Sequence, residues 1–359
     1  MAQLAGSPAS PGTPSTPAGD PAHARRVSLP TSAQLLERAL SLREGSIIIV
    51  TLLAAIYFSL YTSTFLTGSS FKTLLPFFAP FAILGAGEVF VMILGEIDLS
   101  IGATYLFGPL LYYKFATAGI PYVPCVLLAL AGCMAVGFIN GFFTAIVGIS
   151  SFVTTLGMLF TVEGLTLIIS HAEPVSLPGA QATAGYHFST FAKVLGEGTY
   201  SELIWALAIV IAGQVVLSFT RWGLHTVAVG SNRLAAAEAG VRVRMVMIRN
   251  FILCSTAGGF VGILEAVRAS ALEPDVAGAN EILFKGISAA VIGGTLLAGG
   301  SGTVVGALIG ALFLGILNEG LVLKGVNADY QLFYLGLAII LAMTINVFVQ
   351  RVRRGSRSV

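Results

Sequence analysis

Residues 71–118 run FKTLLPFFAPFAILGAGEVFVMILGEIDLSIGATYLFGPLLYYKFATA, two strongly apolar segments on either side of a short acidic connection. Each segment is about 20 residues long, the length of helix that crosses the hydrocarbon core of a bilayer. The connection holds two acids, Glu96 and Asp98, and a charge close to hydrocarbon is costly unless it faces protein or water. This stretch predicts two membrane-spanning helices joined by a turn whose acids serve either a site or the end of a helix.

The same pattern extends over the whole chain of 359 residues, of which 56% are hydrophobic and only 10% are charged. The mean hydropathy is +0.89, whereas soluble domains carry about 25% charged residues. These values indicate a polytopic, all-α membrane protein, and the 42 glycines suit helices that pack closely. The net charge of +2 gives no indication of nucleic-acid binding.

Hydropathy predicts about ten membrane-spanning helices, which together form one transmembrane domain over 46–350. The fifth and eighth are the weakest. The eighth, KGISAAVIGGTLLA, is too short to cross a bilayer alone, so we expect it to be broken or shielded by its neighbours. The predicted spans are 46–66, 71–94, 100–118, 122–147, 151–170, 202–220, 249–267, 285–298, 303–322 and 331–350.

The basic residues predict the orientation, because cytoplasmic loops of membrane proteins carry an excess of Lys and Arg. With ten spans and a cytoplasmic N-terminus, 13 of the 19 basic residues lie inside, and all 13 are Arg. The remaining six are Lys72, Lys114, Lys193, Arg268, Lys285 and Lys324. We therefore expect both termini in the cytoplasm.

The two ends of the chain differ from its apolar middle. Residues 1–30 are rich in Pro, Ala, Ser, Thr and Gly and cannot bury apolar surface, so we expect a disordered tail. Residues 31–45 place leucines beside charged residues and are compatible with an amphipathic helix on the membrane surface. Residues 351–359 form a basic cytoplasmic tail.

The longest cytoplasmic loop, 221–249, contains an alanine-rich segment that predicts a short helix over 234–240. Asn232 or Ser231 can cap its start, and Gly240 can end it. Such a helix is either a docking element for a partner or a simple connection between two spans.

Four stretches in this order resemble the permease subunits of bacterial ABC importers for sugars, in the ribose-type branch of the carbohydrate-uptake family. They are GEIDLSIGA (95–103), FINGFFTAIVGISSFVTTLGML (138–159), VGSNRLAAAEAGV (229–241) and ISAAVIGGTLLAGGSGTVVGALIGALFLGILNEGLVLKGV (287–326). The resemblance covers roughly 45–350. Glu96 departs from it, because the family has glycine there, and Glu163 and Glu265 are further acids that its pattern lacks.

The resemblance implies an ABC-importer permease fold with two related halves, located in the bacterial inner membrane. Two permease chains, identical or different, form a pore for a small-molecule sugar. A cytoplasmic ATP-binding cassette subunit docks on the 221–249 loop, and an extracytoplasmic substrate-binding protein delivers the sugar. The implied ATPase-coupling residues are Ser231, Asn232, Arg233, Ala236, Glu238 and Gly240. The chain itself lacks the Gly-x-x-x-x-Gly-Lys-Ser/Thr phosphate-binding loop, so it is expected to be neither an enzyme nor the holder of a cofactor.

Polar and aromatic residues within the spans are candidates for the substrate pathway, because a sugar needs hydrogen bonds and an aromatic face. The alternative is that each polar group holds two helices together by a hydrogen bond. The candidates are Asn140, Phe152, Thr154, Thr155, Glu163 and Asn318, joined by Asp98 and Ser100 if the break before the third span lies deep in the membrane. Otherwise Asp98 or Ser100 caps the third helix on the cytoplasmic side.

Three glycines at four-residue spacing, Gly302, Gly306 and Gly310, predict a smooth helix surface. That surface serves either ordinary tight packing or a sliding or dimeric interface. The cysteines and histidines have no metal-ligand spacing, so no metal is expected. The external loops 172–201 and 268–285 are the expected contacts of the binding protein.

Two other functions stay open from the sequence. A nucleoside or branched-chain amino acid permease of the ABC class is built similarly. A proton- or sodium-coupled transporter would use Glu88, Glu163 and Glu319 as titrating groups. A docking segment at 229–241 favours the ATP-driven importer, because a coupled transporter does not need one.

Overall fold

Within the part of the chain that the structure describes, ten long helices correspond one to one to the ten predicted spans, and the all-α membrane fold is confirmed. The computed structural model describes residues 44–177 and 190–355. The predicted tail 1–30, almost all of the interfacial helix 31–45, the middle of loop 172–201 and the last four residues of the basic tail lie outside the described residues.

The helices follow the order of the chain. They are α1 (Gly45–Tyr61), α2 (Gly68–Ile93), α3 (Ile101–Thr117), α4 (Tyr122–Phe142), α5 (Ser151–Ser170), α6 (Ser201–Phe219), α7 (Arg221–Ser231), α8 (Arg233–Glu238), α9 (Val243–Ala269), α10 (Val276–Ile292), α11 (Val304–Leu323) and α12 (Ala328–Gly355). Two π-helical turns, Phe143–Val147 and Lys193–Glu197, extend α4 and precede α6. Strands β1 (Val175–Ser176) and β2 (Ala271–Leu272) pair antiparallel, with Val175 opposite Leu272.

By length and composition, six helices among the described residues can cross a membrane: α2, α4 with its π turn, α5, α6, α9 and α11. Helix α5, one of the two weak predictions, is among them. The apolar stretch of α1 and residues 330–344 of α12 are shorter.

The eighth span was predicted wrongly in its limits. The expected helix was 285–298, but α10 occupies Val276–Ile292 and residues 293–303 are not helical. Polar residues such as Asn280 lower the hydropathy of the first part of α10, although an ion pair one turn apart, Glu281 with Lys285, supports the helix there. Glycines at positive φ, including Gly294 and Gly299, turn the chain after its end. The predicted external loop 268–285 is therefore mostly helical.

The seventh span also begins earlier than predicted, at Val243 instead of 249. Its first turns contain Arg244 and Arg249, charges that a hydropathy window counts against a membrane helix. The segment 221–249, predicted as a cytoplasmic loop, consequently holds two helices, α7 and α8, and the start of a third.

Helices α2 and α9 form the centre of the bundle. Helix α2 carries apolar residues on all of its faces, which is the pattern of a helix buried by its neighbours. In its 18-residue apolar stretch, 89% of the residues are buried. It packs against α6, α9, α10 and α11, while α9 packs against α2, α3 and α4.

Glycines set the closest helix contacts. A Cβ atom added at Gly108 of α3 would lie 2.7 Å from the carbonyl oxygen and 2.8 Å from the Cα of Gly259 in α9. On α11, Gly306 and Gly310 face the backbone of Gly293 and Ala289 at the end of α10, and a Cβ at either would overlap it. Gly302 lies just before α11, against Thr295 and Ile93. The predicted glycine surface is therefore covered by α10 of the same chain.

Candidate functional site

The connection between α2 and α3, residues 94–100, turns from the surface into the bundle. Gly95, at φ +75°, lets the chain reverse directly after α2. Asp98 and Ser100 have none of their surface exposed. Because a buried carboxylate is costly without hydrogen-bond donors, the partners of Asp98 indicate what the connection does.

Asp98 is bound by donors from three sides. Its Oδ1 accepts hydrogen bonds from the Ser100 amide at 3.0 Å and the Ser100 hydroxyl at 2.7 Å, and its Oδ2 accepts one from Ser255 of α9 at 3.1 Å. Asn140 of α4 donates to the Ser100 hydroxyl at 2.7 Å and reaches Asp98 Oδ1 at 3.4 Å. Asp98 therefore binds the residue just before α3 and, through the same carboxylate, joins the start of α3 to α4 and α9. The predicted cap is not formed, because the described contacts give neither Asp98 nor Ser100 a hydrogen bond from an amide of the first turn of α3. We refer to these four residues as the Asp98 cluster.

Two residues of α5 hold the neighbouring residue, Ile97. Its amide donates to the Ser151 hydroxyl at 3.4 Å, and its carbonyl accepts from the Thr155 hydroxyl at 3.3 Å. Thr155 also donates to the Ser151 carbonyl within α5. The connection is thus bonded to α5 one residue before it is bonded to α4 and α9.

The outer part of the connection is bound by α8. The Arg233 guanidinium donates to the carbonyl of Leu94 at 3.0 Å and forms an ion pair with Glu96. The Glu96 side chain is only 11% exposed, while that of Arg233 is 47% exposed. The unexpected acid at position 96 is accordingly paired with a base of α8.

A junction of backbone atoms lies next to this pair. The amide of Gly300, in the non-helical segment after α10, donates to the Ile93 carbonyl at 2.7 Å. A Cβ atom at Gly230, near the end of α7, would overlap that same carbonyl. The end of α2, the end of α7 and the 293–303 segment therefore meet without side chains between them.

Buried amide hydrogen bonds fix α7 to the bundle. Asn250 of α9 accepts from the indole of Trp222 at 2.6 Å, and it donates to the Phe90 carbonyl at 3.0 Å and to Thr226 at 3.1 Å. Arg249 lies over the Trp222 ring, 5.0 Å from its centre, and donates to the Trp222 carbonyl. The start and the middle of α7 are thus held by α9.

Helix α8 lies where the sequence predicted a short helix, although it occupies Arg233–Glu238 instead of 234–240. The Asn232 side chain accepts from the Ala235 amide at 3.0 Å and caps the start, and Gly240 at φ +84° follows the end. Of the proposed coupling residues, Ser231, Asn232, Arg233, Glu238 and Gly240 are exposed. Ala236 is buried in an apolar cluster with Leu94, Val229, Val246 and Met247.

The predicted pathway residues separate into two groups. Asp98, Ser100 and Asn140 belong to the Asp98 cluster, and Thr155 adjoins it. The others lie elsewhere: Phe152 is 55% exposed on α5, Thr154 is half-buried, Glu163 is buried and Asn318 is half-buried on α11. Within 44–177 and 190–355, Glu163 Oε1 and Thr154 Oγ1 have no hydrogen-bond partner, and Asn318 makes no side-chain hydrogen bond.

Sequence reasoning missed Ser255, Ser151 and Asn250, which bind the connection or α7. Each is a polar residue in, or at the start of, a largely apolar helix, and each adjoins another polar residue in the sequence. Hydropathy does not predict which residue such a side chain will bind, because its partner is distant in the sequence. The small or amide side chain inside a predicted span was the available signal.

The opposite end of the bundle carries an ion network and a cavity. Arg268 pairs with Glu202 at 2.8 Å and with Glu265. Glu265, like Glu96, is therefore an unexpected acid that has a local basic partner. A cavity of about 350 Å³ lies beside it, between α3, α9, β2 and α10. Its lining includes Tyr105, Pro109, Glu265, Glu273 and Asp275. The β1–β2 pair joins the two segments predicted as external loops.

The described part of the chain contains no group of three His, Cys, Asp or Glu side chains with the geometry of a metal site. The three cysteines are free and buried, at positions 125, 133 and 254.

Comparison with known proteins gives a consistent result. Residues 70–343 match the family described as branched-chain amino acid transport system / permease component. The xylose/arabinose import permease protein of Sulfolobus acidocaldarius is 33% identical, with 86% of each chain covered. The ribose import permease protein of Escherichia coli is 30% identical over 86% of this chain and 95% of its own. The L-arabinose ABC transporter permease protein of Azospirillum brasilense is 30% identical over 88% of this chain and 91% of its own. No solved structure gives a significant match to the chain.

Proposed function

The chain belongs to the family of branched-chain amino acid transport system permease components, and from this premise we propose that it is the permease subunit of an ATP-driven ABC importer for a sugar. Two such chains form the translocation pathway by alternating access. The observation that carries the substrate class is the similarity, over 86–88% of this chain, to permeases named for xylose, arabinose and ribose. The family description names branched-chain amino acids, whereas these relatives are named for sugars.

Uptake by the assembled importer tests this proposal. The chain is produced together with the ATPase subunit and the binding protein of a sugar importer, in cells lacking their own pentose importers. Uptake of radiolabelled D-ribose, D-xylose, L-arabinose and D-allose is then measured, with leucine and uridine as the competing substrate classes. ATP-dependent uptake of at least one sugar is expected. Uptake of leucine or uridine alone would contradict the sugar assignment and support the alternative ABC permeases.

The ATPase subunit docks on α8 in this proposal. Support comes from the exposure of the helix, in which all residues except Ala236 are exposed. Leu234 is 71% exposed although it is a large apolar residue, and single helices with apolar anchors suit recognition in a groove. A proton- or sodium-coupled transporter would leave this surface without a role.

Reversing the charge of Glu238 on α8 is expected to lower ATP-driven uptake about tenfold, because a repulsive charge in an interface costs on the order of 1–3 kcal/mol. The measurement is uptake, with ATPase stimulation by the loaded binding protein recorded in parallel. Glu238→Lys should insert and assemble normally, because this side chain is exposed. Lys324→Glu, a reversal at the exposed end of α11, is the control. Normal uptake in Glu238→Lys would contradict docking on α8.

Ala236 is the less direct test of docking. Its methyl group is buried against Leu94 and Met247, so a bulky replacement would displace α8 from the bundle. A loss of uptake in Ala236→Arg would therefore report packing and docking together.

Asn318 is proposed as a residue of the substrate pathway, because its amide makes no hydrogen bond within the described residues and lies in the middle of an apolar helix. Asn318→Ala is expected to lower sugar uptake several-fold while leaving the yield and thermal stability of the complex unchanged. An unsatisfied amide contributes little to folding, so its removal should cost little. Wild-type uptake in a well-expressed variant would remove Asn318 from the pathway. Glu163, Phe152, Thr154 and Thr155 are proposed for the same pathway on their chemistry alone.

We place both termini and α8 in the cytoplasm. The arginine-rich segments 221–249 and 351–357 support this orientation. The β1–β2 pair and the Arg268 network then lie on the external side, where the binding protein is proposed to contact the chain.

A further inference from the structure

Residues of the connection 94–100 are bound by four different helices. Leu94 and Glu96 are bound by Arg233 of α8, Ile97 by α5, and Asp98 by α4 and α9. Only a few bonds therefore separate the exposed helix α8 from the three helices α4, α5 and α9.

The Arg233 side chain makes the link between α8 and the connection. Its planar guanidinium presents several donors in fixed directions, and one nitrogen, Nη2, contacts both the Leu94 carbonyl and the Glu96 carboxylate. The carbonyl belongs to the last turn of α2, where a positive charge complements the helix dipole. An exposed ion pair contributes little stability, so the importance of this pair lies in the geometry that it fixes.

The surroundings limit how α8 can move independently of the connection. The backbone junction of Ile93, Gly230 and Gly300 lies beside Arg233, and Ala236 packs on Leu94. A displacement of α8 must therefore either break the contacts of Arg233 or carry residues 94–98 with it.

We propose that Arg233 and Glu96 are positioning residues that transmit displacement of α8 to the connection and from there, through Ile97 and Asp98, to α5 and α9. This inference rests on the proposed function, since it takes the ATPase subunit as the cause of the displacement. The resemblance has glycine at position 96, so the carboxylate half of the link is a feature of this chain.

The transmission can be followed on α5 by the reactivity of one cysteine. Thr154→Cys places a thiol on the half-buried face of α5, one residue from Thr155. The three native cysteines have none of their surface exposed, whereas Thr154 is half-buried and only its hydroxyl is enclosed. A water-soluble maleimide should therefore label the new thiol when α5 moves and leave the native cysteines unlabelled. The labelling rate is measured in the complex with the ATPase subunit, with and without ATP. A several-fold effect of ATP is expected.

Glu96→Gln and Arg233→Gln, each added to Thr154→Cys, should reduce this ATP effect at least about fivefold. In importers with Thr at position 154, the same two variants should lower the amount of sugar transported per ATP hydrolysed. The exchange Glu96→Arg with Arg233→Glu should restore part of both signals, because the ion pair returns while the bond to the Leu94 carbonyl does not. Partial recovery by exchange is a result that a merely destabilising pair of substitutions would not give. Lys324→Gln removes another exposed base, one that contacts Tyr57, and serves as the control.

An ATP effect on the labelling rate that persists in both single variants would overturn the inference. An exchange variant whose ATP effect is no larger than that of the single variants would overturn it too. An absent ATP effect in the Thr154→Cys complex would overturn it as well. The labelling needs ATP but no sugar, so its outcome is separate from that of the uptake panel. Failure to transport any of the four sugars would contradict the proposed substrate while leaving the labelling result valid.

Discussion

Asp98→Ala is expected to prevent accumulation of folded protein, or to lower the stability of the purified chain by about 3 kcal/mol or more. The substitution removes the acceptor for the Ser100 amide, the Ser100 hydroxyl and the Ser255 hydroxyl, all at buried positions. Each buried donor left unpaired costs about 1–3 kcal/mol, and these donors belong to helices that water does not reach. The measurement is the yield of monodisperse protein in detergent together with its thermal unfolding.

Two further variants distinguish the loss of hydrogen bonds in the Asp98 cluster from a simple loss of charge. Asp98→Asn keeps an oxygen for Ser100 and presents an amide to the Ser255 hydroxyl, which can accept as well as donate, so it should retain much of the stability. Ser255→Ala removes only the donor to Oδ2, and its effect should be about 1 kcal/mol. If Asp98→Ala were as stable as the wild type, the Asp98 cluster would not hold α3, α4 and α9 together.

Gly108→Ala is the second substitution with a large expected effect. The added Cβ atom would lie 2.7 Å from the carbonyl oxygen and 2.8 Å from the Cα of Gly259. Backbone atoms cannot turn aside as a flexible side chain can, so α3 and α9 must separate. Overpacking of this kind costs about 1–3 kcal/mol, and thermal unfolding in detergent should show a clear decrease in midpoint.

The matched control is another helical glycine. An added Cβ at Gly164 of α5 would meet no atom within 4 Å, and alanine favours a helix over glycine by about 1 kcal/mol. Gly164→Ala should therefore be neutral or slightly stabilising. Equal midpoints for Gly108→Ala and Gly164→Ala would show that the α3–α9 contact is looser than the distances indicate.

The amount of the fold that could be predicted depends on which interactions the sequence contains locally. Apolar length is a local property, and it located all ten long helices. It failed at the start of α10 and of α9, because Asn280, Glu281 and Arg249 are polar but stay helical through contacts that a hydropathy window does not include. The capped helix α8 was predicted because its cap and its terminating glycine lie within a few residues of it.

The contacts of the candidate site were harder to predict, because they join residues distant in the sequence. The acids Glu96 and Asp98 were recognised as unusual, and both a helix cap and a site were considered. Asp98 binds the Ser100 amide instead of capping the first turn of α3. Its bond to Ser255 spans 157 positions, and the Glu96–Arg233 contact spans 137. No periodic pattern within a single sequence predicts contacts between residues that are so far apart. The resemblance identified the segment as important without identifying its partners.

The junction of Ile93, Gly230 and Gly300 has a consequence for how such a chain can change over evolutionary time. Where three backbones touch directly, no side chain exists whose size or charge could be varied to adjust their spacing. Adaptation of this region to a different ATPase subunit must therefore occur at the neighbouring positions that do carry side chains. Glu96 and Arg233 are two such positions, and together they offer a charge pair that can be gained or lost by few substitutions while the junction itself stays the same.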